Sequence, residues 1–231
     1  MIYMVSGSKG GVGKSIVSMA LIDYLQQLSK KIMMIETDSS NPDVYKAYEK
    51  DDIELEVCNL DEQDGWFKLI DLIENNSDHD IVINTASRNI DGIRKNNKLF
   101  ITSLKRLEKK INVLWVINRQ RDSIELLQQF CDINKDSGVT DEITIYVIRN
   151  LYFGSEYSFE IYNHSKLVKR IDDAGGMTLN FPDLADRITD KMNTDRLSIA
   201  RALEILPTSN WAELTRWREA VKDETMKFIV E

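Results

Sequence analysis

The residues best placed to do chemistry are Ser8-Lys9-Gly10-Gly11-Val12-Gly13-Lys14-Ser15. Gly10, Gly11 and Gly13 allow backbone angles closed to other residues and let the main chain approach an anion closely. The N–H groups of Gly10, Gly11, Val12, Gly13, Lys14, Ser15 and Ile16 then form a concave nest of partial positive charge, completed by the start of a helix. In such a loop Lys14 reaches the β- and γ-phosphates of a nucleoside triphosphate, and the Ser15 hydroxyl ligates Mg²⁺.

A loop of this kind works only between a strand and a helix. Ile2 to Val5 is a short apolar run that reads as a buried strand. From Ile16 to Leu28, apolar residues recur at helical spacing. The same alternation continues down the chain. Apolar runs at Ile32–Ile35, Ile81–Ile83 and Ile111–Ile117 suit strands covered on both faces. Shorter strands are expected at Ile53–Cys58, near a sheet edge, and at Ile143–Ile148 and Met177–Phe181. Helical patterns fill the intervals: 43–50, 61–74, 91–110, 123–130, 159–174, 183–192, 195–205 and 209–228. The loop-like segment Leu151–Ser158 carries Tyr152, Phe153 and Tyr157, read either as covering a site or joining an interface or, the plainer expectation, as packing in the core. Strands alternating with helices predict an α/β fold: a doubly wound, mainly parallel sheet with helices on both faces. No repeat or long linker interrupts the chain. One domain over residues 1–231 is expected, with C-terminal helices from about 183 packed on it.

Composition narrows the class. At 231 residues and 42% hydrophobic the chain can bury a sizeable core, and no apolar run reaches the ~20 residues of a membrane span. The loop lies so near Met1 that neither a signal peptide nor a DNA-binding module is expected before it. A net charge of −8 argues against a nucleic-acid-binding surface overall, though not against a local patch. Cys58 and Cys131 suit small buried apolar groups in a reducing compartment, and His79 and His164 lack metal-ligand spacing.

The loop departs from the general phosphate-binding pattern in one respect. Ser8 stands where a first glycine is usual, and Lys9 precedes the glycine pair. This resembles the deviant Walker A loop of the ParA/MinD family, Lys-Gly-Gly-x-x-Lys-Ser/Thr. The resemblance implies that Lys9 reaches the nucleotide of a partner subunit across an ATP-sandwich homodimer. It also implies that Asp38, after the second strand, positions the attacking water and meets Mg²⁺ through water. A turn or helix cap before Asn41-Pro42 is the plainer role for Asp38. The family has Asp-x-Asp here; Glu36 replaces the first aspartate. Asn84 stands where the family's Walker B aspartate holds the Mg²⁺ shell. An amide can bond a metal-bound water but brings no negative charge. Asn150 corresponds either to an adenine contact or to a strand-end cap, and Pro182 and Asp183 resemble the loop flanking the base.

The family's activity implies a slow, partner-stimulated ATPase with ATP and Mg²⁺ as cofactors, acting in plasmid or chromosome partition, plasmid stability or DNA transfer. A small DNA-binding or adaptor protein is the implied partner. The stretch 91–110 carries Arg94, Lys95, Lys98, Lys105, Arg106, Lys109 and Lys110, read either as a solvated face or as a non-specific DNA patch. The setting implied is cytoplasmic, and nucleoid-associated if that face meets DNA. The last helix mixes both charges around a stripe of Trp211, Leu214, Trp217, Val221 and Phe228. Docking on the body is therefore expected rather than membrane binding. Two alternatives remain: an ATP-sensing scaffold with negligible turnover, motivated by Asn84, and a metabolic ligase or synthetase of the same fold.

Overall fold

The computed structural model describes residues 1–7, 10–87, 90–136 and 141–230. Among these, seven strands form one sheet: β1 (Ile2–Gly7), β2 (Ile32–Glu36), β3 (Glu54–Val57), β4 (Asp80–Asn84), β5 (Ile111–Ile117), β6 (Ile143–Asn150) and β7 (Met177–Phe181). Their order is β3-β2-β4-β1-β5-β6-β7, and every neighbouring pair is parallel. The expected mainly parallel sheet is thus wholly parallel among the described residues, with β3 at an edge. Parallel strands need crossovers, and helices supply them on both faces.

Side-chain alternation along the strands sorts the core into two layers. Tyr3, Val5, Met34 and Val82 face one side, where they pack with α1 (Lys14–Gln27), α2 (Asp43–Tyr48), α8 (Asp186–Asp195), α9 (Ile199–Ile205) and α10 (Thr208–Glu224). Ile2, Met4, Ile81 and Ile83 face the other, against α3 (Gln63–Asn75), α4 (Ile90–Arg106), α5 (Arg121–Asp136), α6 (Glu160–Asn163) and α7 (Lys166–Asp173). Cys58 and Cys131 are free and buried in this second layer.

Three expectations change. The single helix at 159–174 is two, because Ser165 takes an extended conformation and its hydroxyl accepts from the Leu167 N–H, capping a new helix start. The segment 151–158 forms two 3₁₀ turns that leave Tyr152 and Tyr157 exposed, while Phe153 packs on the core. In α10, Leu214, Trp217 and Val221 are buried, but Trp211 and, in the turn beyond the helix, Phe228 are exposed.

Docking of α10 on the body has several anchors. The Arg218 guanidinium donates to both carboxylate oxygens of Asp23 on α1, each at 2.8 Å. Trp217 stacks edge-on against Phe181, and its indole N–H donates to the Pro182 carbonyl at 2.9 Å. Thr225, just past the helix, donates its hydroxyl to the Asn180 carbonyl at 2.6 Å. The C-terminal segment therefore grips β7 on either side of Phe181. Among the described residues no helix is long and apolar enough to cross a membrane.

Candidate functional site

The carboxyl ends of the strands open into a cleft of about 890 Å³. In an open parallel sheet this is where ligands bind, since the loops leaving the strands diverge there. Gly10, Gly11, Gly13, Lys14, Ser15, Ile16, Asp38, Asn84, Asn150, Pro182 and Asp183 all line it. Val12 does not: its side chain is fully buried in the core layer beneath, where it anchors the loop. Lys9, like Ser8, lies outside the described residues.

The loop geometry follows from its glycines. Gly11 and Gly13 have φ of 79° and 102°, values that L-residues with a Cβ rarely adopt. Gly13 closes the turn and its carbonyl accepts the first bond of α1, from the Val17 N–H at 3.1 Å. At the end of β1, a side chain on Gly7 would sit 2.7 Å from the Val116 carbonyl oxygen, so only glycine lets β5 run this close to the loop. Asn150 at the end of β6 braces the loop from below. Its amide donates to the Val12 carbonyl at 2.9 Å, and its carbonyl accepts from the Tyr152 N–H at 3.1 Å. The structure thus makes Asn150 a strand-end cap that also holds the loop, and leaves it lining the cleft.

Lys14 is buried at the first turn of α1. Burial pulls its ammonium below the usual lysine range, and the carboxylates of Asp38 and Glu36 oppose that shift. Asp38 is half-buried and accepts from the Asn41 N–H at 3.1 Å, so it both forms the expected turn and faces the cleft. Beneath these groups lies a buried polar pair. Glu36 and Asn84 are cross-strand neighbours in the β2–β4 register. The Asn84 amide donates to both Glu36 oxygens, at 3.0 and 3.2 Å, and the Asn84 carbonyl accepts from the Ser18 hydroxyl at 3.0 Å. Glu36 Oε1 also accepts from the main-chain N–H groups of Thr37 and Asp38, both at 3.1 Å. Desolvation raises the Glu36 carboxyl to about 7, against the bonds from Asp38 and Asn84, which lower it.

A profile for the AAA domain family AAA_31 matches residues 1–133. The chain belongs to this family of ParA/MinD-like P-loop ATPases. It is 48% identical over 221 residues to Protein MobD of Acidithiobacillus ferrooxidans, covering 96% of this chain and 94% of that one. Three solved structures share its fold at low identity. The cell division ATPase MinD of Pyrococcus furiosus matches with a TM-score of 0.56 at 14% identity, over 96% of this chain and 98% of that one. The Pyrococcus horikoshii septum site-determining protein MinD, complexed with Mg-ADP, gives 0.55 at 15%, over 95% of each chain. The Aquifex aeolicus cell division protein MinD gives 0.52 at 17%, over 97% and 98%.

Within this ParA/MinD-like fold the cleft has two ends. At about 4.8 Å per strand, β7 stands about 14 Å from β1. Lys14 and Ser15 open α1, which follows β1, Asp38 follows β2 and Asn84 ends β4; Pro182 and Asp183 follow β7. Burial, and then the neighbouring Asp186, push the Asp183 carboxyl above the usual carboxylate range. Sequence reasoning missed several cleft residues: Lys46, Thr85, Ser87, Asn193 and Arg196. Lys46 had a usable signal. It shares a helical face with Asp43 and Ala47, one turn past the loop that carries Asp38, and all three line the cleft. Tyr152, one of the rings read as able to cover a site, reaches it through the 3₁₀ turn after β6, and Arg196 through the left-handed turn ending α8, which no local pattern announces.

The donors gathered near Lys14 are the Ser15 hydroxyl, the Asp38 carboxylate and the Asn84 carbonyl, with the Glu36 carboxylate behind them. This is a hard, all-oxygen set, and it fits Mg²⁺, which keeps most of its waters and takes few protein ligands.

Proposed function

We propose that this chain is an ATP-binding and hydrolysing switch of the ParA/MinD type, with a deviant Walker A loop, that pairs with a second copy across bound nucleotide. The observation that carries the reading is the convergence of Gly11, Gly13, Lys14, Ser15 and Asp38 on one cleft at the strand ends. The loop N–H groups and Lys14 hold the triphosphate and offset its charge. Ser15 would hold Mg²⁺, with Asp38 and Asn84 serving its water shell; the ion, when bound, would withdraw charge from the phosphate oxygens. Asp38 orients the attacking water in line with the γ-phosphate. Lys9 of the second copy stabilises charge that develops on the transferred group. Pro182 and Asp183 flank the base, and Asn150 fixes the loop against which the phosphates rest.

The name of the relative MobD favours DNA transfer, as in plasmid mobilisation, over partition. A small DNA-binding or adaptor protein fits as the partner that stimulates turnover. The α4 stretch fits non-specific DNA contact. Arg94, Lys95, Lys98, Lys105 and Arg106 fall within about a third of the helix circumference, all exposed. Arg94 is held by Asp91 and Lys105 lies 4.0 Å from Glu142. Lys109, beyond the helix, donates to the Ser77 carbonyl, and Lys110 extends the exposed charge.

Calorimetry and size-exclusion chromatography with ATP and Mg²⁺ test the switch. Lys14→Ala is expected to abolish nucleotide uptake. Lys9→Ala is expected to keep uptake and lose ATP-dependent dimerisation; normal dimerisation of that variant would refute the role given to Lys9. Sustained phosphate release by purified protein, alone or with DNA, separates the ATPase from a scaffold.

A further inference from the structure

Glu36 is fully buried, charged by type, and given no role in the mechanism above. Its environment is built rather than incidental. Three donors converge on one oxygen, the N–H groups of Thr37 and Asp38 and the Asn84 amide, and the same amide reaches the second oxygen. Asn84 is itself 4% exposed and lines the cleft beside Ser15, Lys14 and Asp38.

The chemistry of the pair fixes its orientation. The Asn84 amide nitrogen, a donor only, lies against both Glu36 oxygens, and the Ser18 hydroxyl holds the other end of the side chain, so the amide end of Asn84 faces Glu36. The carbonyl end then faces the other way, where the Ser18 hydroxyl donates to it at 3.0 Å. A carbonyl oxygen has two lone pairs, and Ser18 uses one. A neutral amide held in this way accepts more strongly, because a negative charge sits behind its N–H groups and polarises it.

We propose that Glu36 and Asn84 act as one unit, in which Glu36 supplies the negative charge on the metal side of the cleft and turns the Asn84 carbonyl outward to accept from a metal-bound water. The carboxylate is thereby placed on β2 and the amide on β4, 48 residues apart in sequence and adjacent in register. Glu36 is a positioning residue on this account, acting through Asn84. The inference rests on the Mg²⁺-nucleotide reading of the cleft.

The test is a charge exchange. Glu36→Gln, Asn84→Asp and the double variant are titrated by calorimetry with a non-hydrolysable ATP analogue, with Mg²⁺ and with EDTA, and each is melted without ligand. Wild type is expected to bind more tightly with Mg²⁺. Glu36→Gln is expected to lose at least tenfold of that enhancement while keeping its affinity in EDTA. Asn84→Asp sets two buried carboxylates in contact and is expected to melt lower. In the double variant the amide introduced on β2 can still accept from the Thr37 and Asp38 N–H groups. It can also donate to the carboxylate introduced on β4, which can still accept from Ser18. The melting temperature of the double variant should recover from that of Asn84→Asp, and its Mg²⁺ enhancement should return to within about threefold of wild type. A purely structural pair would lower the melting temperature of Glu36→Gln without touching the Mg²⁺ enhancement. That outcome overturns the proposal, as does a double variant no better than Glu36→Gln. Failure of wild type to bind the analogue at all would overturn the nucleotide reading itself, a distinct result that removes this inference with it.

Discussion

Gly13 and Asn150 offer a way to measure how the loop is held, independently of any ligand. A side chain added at Gly13 would collide with the Asn150 amide nitrogen, well inside van der Waals contact. Gly13→Ala therefore carries two costs. A φ of 102° is strained for alanine, about 1–3 kcal/mol. The Asn150 amide must also withdraw, which strands the buried Val12 carbonyl and costs about 1–3 kcal/mol more. The variant should lose about 2–6 kcal/mol in all. Asn150→Ala alone strands the same carbonyl and the Tyr152 N–H. In the Asn150→Ala background, Gly13→Ala meets no amide, and only the backbone strain remains. The two substitutions should therefore be sub-additive by about 1–3 kcal/mol, the Val12 term counted once instead of twice. Urea unfolding of the four proteins without nucleotide, followed by circular dichroism, gives each stability from its midpoint and slope. Additivity to within about 0.5 kcal/mol would show that the amide does not clamp the loop.

Three further predictions concern other parts of the fold. Arg218→Met should cost about 2–4 kcal/mol in urea unfolding, because Asp23, with a side chain 5% exposed, is left with the Gln27 amide as its side-chain hydrogen-bond partner; adding Asp23→Asn should recover part of the loss, and a cost under about 0.5 kcal/mol would mean that the pair does not anchor α10. Burial pushes the Cys58 and Cys131 thiols up to about 11 from an ordinary value of 9; both should resist a thiol reagent at pH 8 in the folded protein and react fully in denaturant. Since the folded values exceed the unfolded ones, their stabilising effect is complete below about pH 9 and declines as pH rises from about 9 toward about 11. Lys98→Glu with Lys105→Glu should weaken binding to random-sequence duplex DNA and flatten its salt dependence, with ATP uptake unchanged, as read by anisotropy across a salt series.

The parts of this molecule legible in the sequence are those whose cause is local. Ile32–Ile35 and Ile111–Ile117 read as strands because a parallel strand covered on both faces is apolar almost throughout; both runs are buried, and Asn112, the polar residue in the second, donates to the Ile229 carbonyl. The loop at 10–15 is legible because glycines, lysine and serine must stand in fixed order between a strand and a helix. The break at Ser165 is hidden, since a serine on the polar side of an amphipathic run is as compatible with a helix interior as with a cap. Its extended backbone and its hydroxyl's bond to the Leu167 N–H distinguish the two.

Asn150 and Glu36 mark the other boundary, where the cause is a neighbour in space. A polar residue at a strand end has the same local signature whether it caps a turn, contacts a base or braces a loop. Asn150 reaches Val12 across 138 positions of chain, so no window around either residue contains the interaction. Glu36 and Asn84 carry the point further. Taken singly, each replaces an aspartate of the pattern that the chain resembles, and Asn84 alone suggests a site that has lost charge. Taken as register partners, they are complementary: β2 has a carboxylate that needs donors, and β4 has the amide that provides them. A second carboxylate on β4 in place of Asn84 would leave Glu36 facing a like charge at hydrogen-bond distance in a buried site, where both could not ionise together. The glutamate and the asparagine therefore have to be explained jointly. The formal charge of a site is a property of contacting side chains, which strand register decides, and a position-by-position comparison with an acidic motif counts the charge in the wrong place.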